Sequence, residues 1–311
     1  MEEEKVNVKK YDIFIIGHIS LDENIYRDQV ERIYGGAVLY AAYAAATGQN
    51  KIGILTKSSE DDEKIASLFN ILKEDIYHIK SGKTTSIRNE YLTEDRENRV
   101  STVLSVADPF RTEEIPADVD ANIYYLAGLI QGDFGYELIK KLSKKGKVAV
   151  DAQGLLRKSN NGYMFYEDWD KKYEYLPYIN FLKTDANESR IMTGIENREK
   201  AAELFRNWGS QEVMITYNTE VLVYDGHQYY KAPFKPRNLS GRTGRGDTCF
   251  GAYISERIHR EPDEALYYAA ALTSLKMETP GPFKGTREDV LNYMDNYYRN
   301  YLYEYKLKLG C

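Results

Sequence analysis

The chain has 311 residues and a formal net charge of −6, from 42 Lys and Arg against 48 Asp and Glu. That balance argues against a nucleic-acid partner, which would want a basic face, while the length allows a sizeable buried core. Two cysteines, Cys249 and Cys311, suggest no disulfide framework. With no apolar leader and no apolar run of membrane-spanning length, the expectation is a cytoplasmic protein without a membrane partner.

Residues 11–17 (YDIFIIG) form a continuous apolar run closed by glycine, the pattern of a buried strand. Asp22 follows, where ligands of open α/β sheets gather, although a loop aspartate capping a turn is the plainer reading of the residues alone. Gly35 and Gly36 open an alanine-rich helix over 37–47, with Gly48 as its C-cap. The glycine pair serves either a ligand approaching the backbone or tight helix-to-sheet packing. Residues 50–55 read as a strand, 60–72 as an amphipathic helix and 76–79 as a short strand. Strands over 84–92 and 99–106, joined by the charged turn 93–98, then break the βα rhythm. They carry Arg88 and Arg99, which face either solvent or a site.

Strands at 122–127 and 147–150 flank a helix over 136–142, and Asp151 and Gln153 stand just past the second strand. Segment 158–172 reads as an ordered surface insertion. A strand at 178–182 leads to Asp185-x-x-Glu188, which offers two oxygen ligands to a hard cation and equally a capping box at a helix start. A helix over 199–208 and a strand over 213–216, ending at Thr216, come next. Asp225-Gly226 reads as a two-residue hairpin turn between 221–224 and 227–231. The last helices cover 262–277 and 286 to about 301, separated by the rigid turn Thr279-Pro280-Gly281-Pro282. The alternation implies one domain over 1–311, built on a mostly parallel sheet with helices on both faces.

Between the hairpin and those helices lies the stretch from Ser240 to Ala252. Gly241, Gly244 and Gly246 free the backbone to turn with its amides pointing one way. Phe250, Tyr253, Ile254 and Ile258 recur at helical spacing, so the turn opens a helix. Bare amides at a helix N-terminus attract an anion. Asp247, in the first turn, is suited to capping and also stands as a general base beside the anion, which phosphoryl transfer to a hydroxyl requires. Arg245 either adds charge to that site or points outward. A dinucleotide fingerprint fails because Cys249 takes the third glycine position, and a P-loop fails because no lysine follows.

The stretch resembles the C-terminal signature of the ribokinase-like (PfkB) carbohydrate kinases, whose core is Gly-Ala-Gly-Asp. Gly244, Gly246 and Asp247 match, and Arg245 replaces the small residue. The likeness runs from Gly17 to Pro282, and residues 107–110, 151–154, 241–249 and 276–282 look most like the family's myo-inositol kinase branch. The resemblance implies a three-layer ribokinase-like α/β fold with a small β-lid, contributed mainly by residues 82–108. It also implies ATP- and Mg²⁺-dependent phosphorylation of a small polyol or sugar by a monomer or homodimer.

On that resemblance Asp247 is the base, and Gly244, Arg245 and Gly246 form the anion hole. Asp22, Gly35, Gly36, Arg99, Asp151 and Gln153 contact the substrate. Thr216, Pro280 and Gly281 contact the nucleotide, and Asp185 and Glu188 hold the Mg²⁺. Tyr40 stands where the family's sugar kinases place asparagine, which favours a cyclitol, myo-inositol first, over ribose, fructose or a nucleoside. Gly241 stands where many members carry a potassium-binding aspartate, which implies weak or absent potassium activation. The rival reading, a sugar or nucleotide binder without catalysis, is disfavoured by the retained Asp247.

Overall fold

The computed structural model describes residues 8–92 and 99–299. The charged turn 93–98, the end of the last helix and Cys311 lie outside the described residues. The chain begins with strands β1 (Lys9–Ile16), β2 (Ser20–Tyr26) and β3 (Gln29–Gly35), then α1 (Ala37–Ala46), β4 (Ile52–Ser58) and α2 (Asp62–Ala66). Next come β5 (Ile76–Lys80), β6 (Ser86–Tyr91), β7 (Arg99–Ser105), β8 (Val119–Leu126), α3 (Tyr136–Leu142) and β9 (Lys147–Asp151). They are followed by α4 (Gln153–Leu156), β10 (Arg157–Asn160), β11 (Tyr163–Tyr166), α5 (Lys172–Tyr175), β12 (Phe181–Asp185) and α6 (Ala186–Thr193). The chain continues through α7 (Arg198–Asn207), β13 (Glu212–Thr216), β14 (Glu220–Tyr224), β15 (Tyr229–Pro233), α8 (Arg245–Glu256), α9 (Pro262–Met277) and α10 (Arg287–Tyr297).

Nine strands form the main sheet in the order β15-β14-β13-β12-β9-β8-β1-β4-β5. From β13 to β5 every pairing is parallel, and β14 and β15 add an antiparallel edge. The apolar runs explain this. On β1, Ile13 and Ile15 face one core, shared with α1, α8, α9 and α10, while Phe14 and Ile16 face a second, shared with α3, α6 and α7. Both faces are buried, so these strands are apolar at successive positions. Helix, sheet and helix layers make the three-layer α/β arrangement expected from the sequence.

A second sheet of six strands, ordered β10-β11-β7-β6-β2-β3, contains the hairpin expected at 84–106. It is antiparallel apart from the β2–β6 pair. Strands β2 and β3 were not legible as strands: β3 is mostly exposed and both are rich in charge, so no alternation marks them. The expected insertion at 158–172 instead pairs β10 with β11. The helix expected over 60–72 is only the short α2, followed by a 3₁₀ turn at Lys73–Asp75. Thr47 caps α1, while Gly48 lets Ser255 approach, its Oγ lying 2.7 Å from where a Cβ would stand. The hairpin after β14 turns over 225–228, with the Asp225 side chain accepting from the amides of His227 and Gln228. Among the described residues no helix is long and apolar enough to cross a membrane.

Phe250 ties α8 to this framework. It is buried and meets Tyr125 of β8 edge-on, with ring centres 5.0 Å apart. Phe250→Ala should therefore cost about 3–5 kcal/mol in urea unfolding. A cost below about 1 kcal/mol would show that α8 is anchored elsewhere.

Candidate active site

Helix α8 begins at Gly244, whose φ of 78° is left-handed, a conformation glycine adopts without strain. The position also lacks room for a side chain, because a Cβ would stand 2.3 Å from the Tyr40 ring. No side chain caps the helix, so Asp247 is an acidic first-turn residue and not the cap. At Gly246 a Cβ would meet Lys183 Nζ at 2.9 Å. Lys183 thus comes close beneath the anion-binding turn, held there by Asp151, whose two oxygens lie 2.9 and 3.1 Å from Nζ.

Two cavities meet at Asp247. The first, of about 340 Å³, lies between the second sheet and α1, with Asp22, Gly36, Tyr40, Arg99 and Gln153 among its lining residues. Asn89 and Ser101 add polar groups from β6 and β7, and the Ser101 hydroxyl donates to Asn89 Oδ1 at 2.8 Å. Asp22 Oδ1 accepts from the Ile87 amide at 3.0 Å, and burial pushes its carboxyl up to about 6. The second cavity, of about 470 Å³, is lined by Lys183, Asp185, Glu188, Thr216, Asn218 and the turn from Arg242 to Asp247. Arg99, Gln153, Arg157 and Tyr166 border both. Arg157 is fixed by Gln153 Oε1 at 2.6 Å and the Tyr166 hydroxyl at 3.0 Å.

Asp247 is pushed up to about 6 by burial, with Asp151 adding to the shift and Lys183 and Arg157 opposing it. Asp185 and Glu188 form the capping box of α6: Asp185 Oδ1 accepts from the Glu188 amide and Glu188 Oε2 from the Asp185 amide, both at 2.8 Å. The capping role is thus present, and each carboxylate keeps one oxygen beyond the box. Burial raises the Glu188 carboxyl. Among the described residues no group of three or more His, Cys, Asp or Glu could hold a metal by itself. The pair suits a Mg²⁺ that takes its remaining ligands from water and phosphate.

With Arg99, Gln153 and Gly244 bordering both cavities, the structure gathers Asp22 and Gly36 on one side of Asp247. Asp185, Glu188, Thr216, Arg245 and Gly246 lie on the other. Four expected residues stand apart from both cavities. Asp151 is wholly buried beneath the turn, paired with Lys183, and borders neither cavity. Pro280, Gly281 and Gly35 border a third cavity of about 630 Å³, which meets the first at Asp22, Tyr40 and Asn89 and the second at Arg242 and Thr243. Sequence reasoning missed Arg157, Lys183 and Arg242. Lys183 did carry a signal, being a charge inside an apolar strand.

A helix N-terminus offering amides to an anion, beside a carboxylate shared with a second pocket, defines a phosphotransferase. The chain belongs to the pfkB family of carbohydrate kinases, whose family model matches residues 6–287. It is similar to a pyrophosphate-dependent kinase in the ribokinase family complexed with a pyrophosphate analog and myo-inositol, with 33% identity over 90% of this chain and 99% of that one, TM-score 0.81. A pyrophosphate-dependent myo-inositol-1 kinase converted by mutation into a myo-inositol-3 kinase is 32% identical over 92% and 99%, TM-score 0.79. Cytidine kinase of Thermococcus kodakarensis is 28% identical over 260 residues, 81% of this chain and 91% of that one. The ribokinase of Arabidopsis thaliana, complexed with ribose and ATP, is 16% identical over 92% and 99% and shares the fold with a TM-score of 0.72.

If Asp247 is the base, Asp247→Asn should lower turnover by about 10²–10⁴-fold with little effect on substrate binding. The base works ionised, so wild-type turnover should fall as pH drops through about 6. An Asp247→Asn enzyme with near wild-type turnover, or with the same acidic limb, would assign the proton transfer to another group.

Proposed function

We propose that the chain transfers a phosphoryl group from inorganic pyrophosphate to a hydroxyl of a cyclitol, myo-inositol first. The observation that carries this reading is the position of Asp247, which borders the small polar cavity and the cationic one together. A hydroxyl in the first cavity then meets a phosphate chain in the second, with the base between them. Asp247 takes the hydroxyl proton, the Gly244–Gly246 amides receive the transferring group, and Lys183, Arg157 and Arg245 balance its charge. Asp185 and Glu188 would hold Mg²⁺, which would supply positive charge to the phosphate donor.

The donor side argues for pyrophosphate ahead of the ATP expected from the sequence. Apart from Tyr166, polar and glycine residues line it, so it offers little of the apolar wall that a purine needs. Arg245 lies over Phe234, 5.9 Å from the ring centre, and bonds Asn218 Oδ1 at 3.2 Å, covering apolar surface beside the cavity. Pro280 and Gly281, the expected purine wall, face the third cavity. On the acceptor side, Asp22, Asn89, Arg99, Ser101 and Gln153 present acceptors and donors to a ring bearing hydroxyls all round. Such a site rejects an analogue lacking one hydroxyl, because its own groups would be left unpaired. The likeness to kinases of myo-inositol supports the same acceptor. A second reading, a nucleoside acceptor, has the cytidine kinase relative in its favour.

Phosphorus NMR of product mixtures, crossing myo-inositol, its epimers, ribose, fructose and cytidine with pyrophosphate and ATP, tests both halves. The expected product is an inositol phosphate formed from pyrophosphate. Turnover of cytidine, ribose or fructose with inositol inert would sink the cyclitol. Turnover with ATP alone would sink the pyrophosphate donor and leave the acceptor standing.

A further inference from the structure

Lys276 is a buried lysine that the reaction just described does not use; burial pushes its pKa down to about 7, against the opposing pull of Asp247. It lies in the last turn of α9 with no exposed surface. Lysines are almost never this deeply buried without a carboxylate partner, yet the oxygens that receive Nζ belong to the main chain. They are the carbonyls of Gly241, at 2.5 Å, and of Thr243. The Tyr40 ring, 5.0 Å away, presents its face to the same ammonium.

The consequence follows from peptide geometry. In a planar trans peptide the C=O and the next N–H point in opposite directions. Turning the Thr243 carbonyl toward Lys276 therefore turns the Gly244 amide away from it, to the side where Gly244 borders the cavity shared with Asp247. The Gly241 carbonyl aims the Arg242 amide likewise. Gly241 is also pinned, its amide donating to Met277 O at 2.8 Å and its α-carbon so near Thr279 O that a Cβ would lie 1.8 Å away. Main-chain carbonyls converging on one cation are the ligand set of a monovalent metal ion.

We propose that Lys276 is a positioning residue whose ammonium acts as a built-in monovalent cation, aiming the amides of the α8 turn at the phosphate donor. No inorganic monovalent ion is then needed. The proposal rests on the phosphotransferase site and on neither the particular acceptor nor the particular donor. The site lacks the aspartate expected at position 241, and Lys276 supplies the charge directly, so two features of the sequence are explained by one contact.

The test is calorimetric binding of magnesium pyrophosphate to wild-type protein and Lys276→Met, in tetramethylammonium, potassium and ammonium chloride at equal ionic strength. Wild-type affinity should be the same in all three. Lys276→Met should bind about 10–100-fold more weakly in tetramethylammonium, as expected for lost hydrogen bonds to a charged group, and recover in potassium or ammonium. Equal weakening in every salt would reduce Lys276 to a packing role, and unchanged affinity would remove any role. Several-fold tighter wild-type binding in potassium overturns the proposal even if the variant fails to fold. If pyrophosphate does not bind the wild type, the donor reading falls, and the same comparison with magnesium ATP decides the role of Lys276.

Discussion

The turn that opens α8 is pressed from several sides at once. The Tyr40 ring covers Gly244, Lys183 Nζ sits under Gly246, and Thr279 O abuts Gly241, each so close that a Cβ would collide. The amides at a helix start have no intrahelical partners, so the neighbours of the turn, not the helix, decide where they point. Here the neighbours come from α1, β12 and the end of α9, which belong to separate parts of the chain. Gly251 continues the pattern one turn further in, where a Cβ would lie 2.7 Å from Ala41 O, so α1 and α8 pack backbone to backbone. The turn is thus a product of layer packing, and its glycines are fixed by contact at least as much as by conformation.

Beneath that turn the charges are arranged to temper one another. A buried Lys–Asp pair such as Lys183–Asp151 is seldom favoured over apolar residues on stability alone. Its value lies in what surrounds it. Asp151 holds Lys183 at the turn and, by repulsion, helps burial raise the Asp247 carboxyl, while Lys183 and Arg157 limit the rise. The balance leaves Asp247 ionised at neutral pH and more basic than a solvated aspartate, which suits a group that must accept a proton from an alcohol.

The sequence made the main sheet legible because its central strands are buried on both faces and their apolar runs survive any register. It concealed β2 and β3 because a sheet with one wet face and a charged edge leaves little periodic signal. The glycine turn could be read because close approach demands glycine. Gln153, Asp185 and Glu188 could be singled out from their places after strands, whereas Asp22, inside β2, stands out only through the family resemblance. Arg157 and Arg242 could not, since a basic residue outside an apolar run reads as solvated until a fold closes around it. Asp151 shows the converse limit. Its place at a strand end marks it as functional, but only packing distinguishes a residue facing the ligand from one that holds up a neighbour.

The same packing explains how a chain of net charge −6 offers a home to a polyanion. Arg99, Arg157, Lys183, Arg242 and Arg245 converge on one cavity against Asp185, Glu188 and Asp247. A cleft concentrates the field of such a cluster, so the local charge and not the net charge governs what enters. Two of those cations, Arg99 and Arg157, come from the second sheet and also border the acceptor cavity. The sheet that walls the proposed acceptor cavity therefore also brings positive charge to the border with the proposed donor cavity. On the proposed reading, enclosure and charge stabilisation would be delivered by the same strands, which would couple transfer to the presence of the acceptor and leave water the poorer competitor.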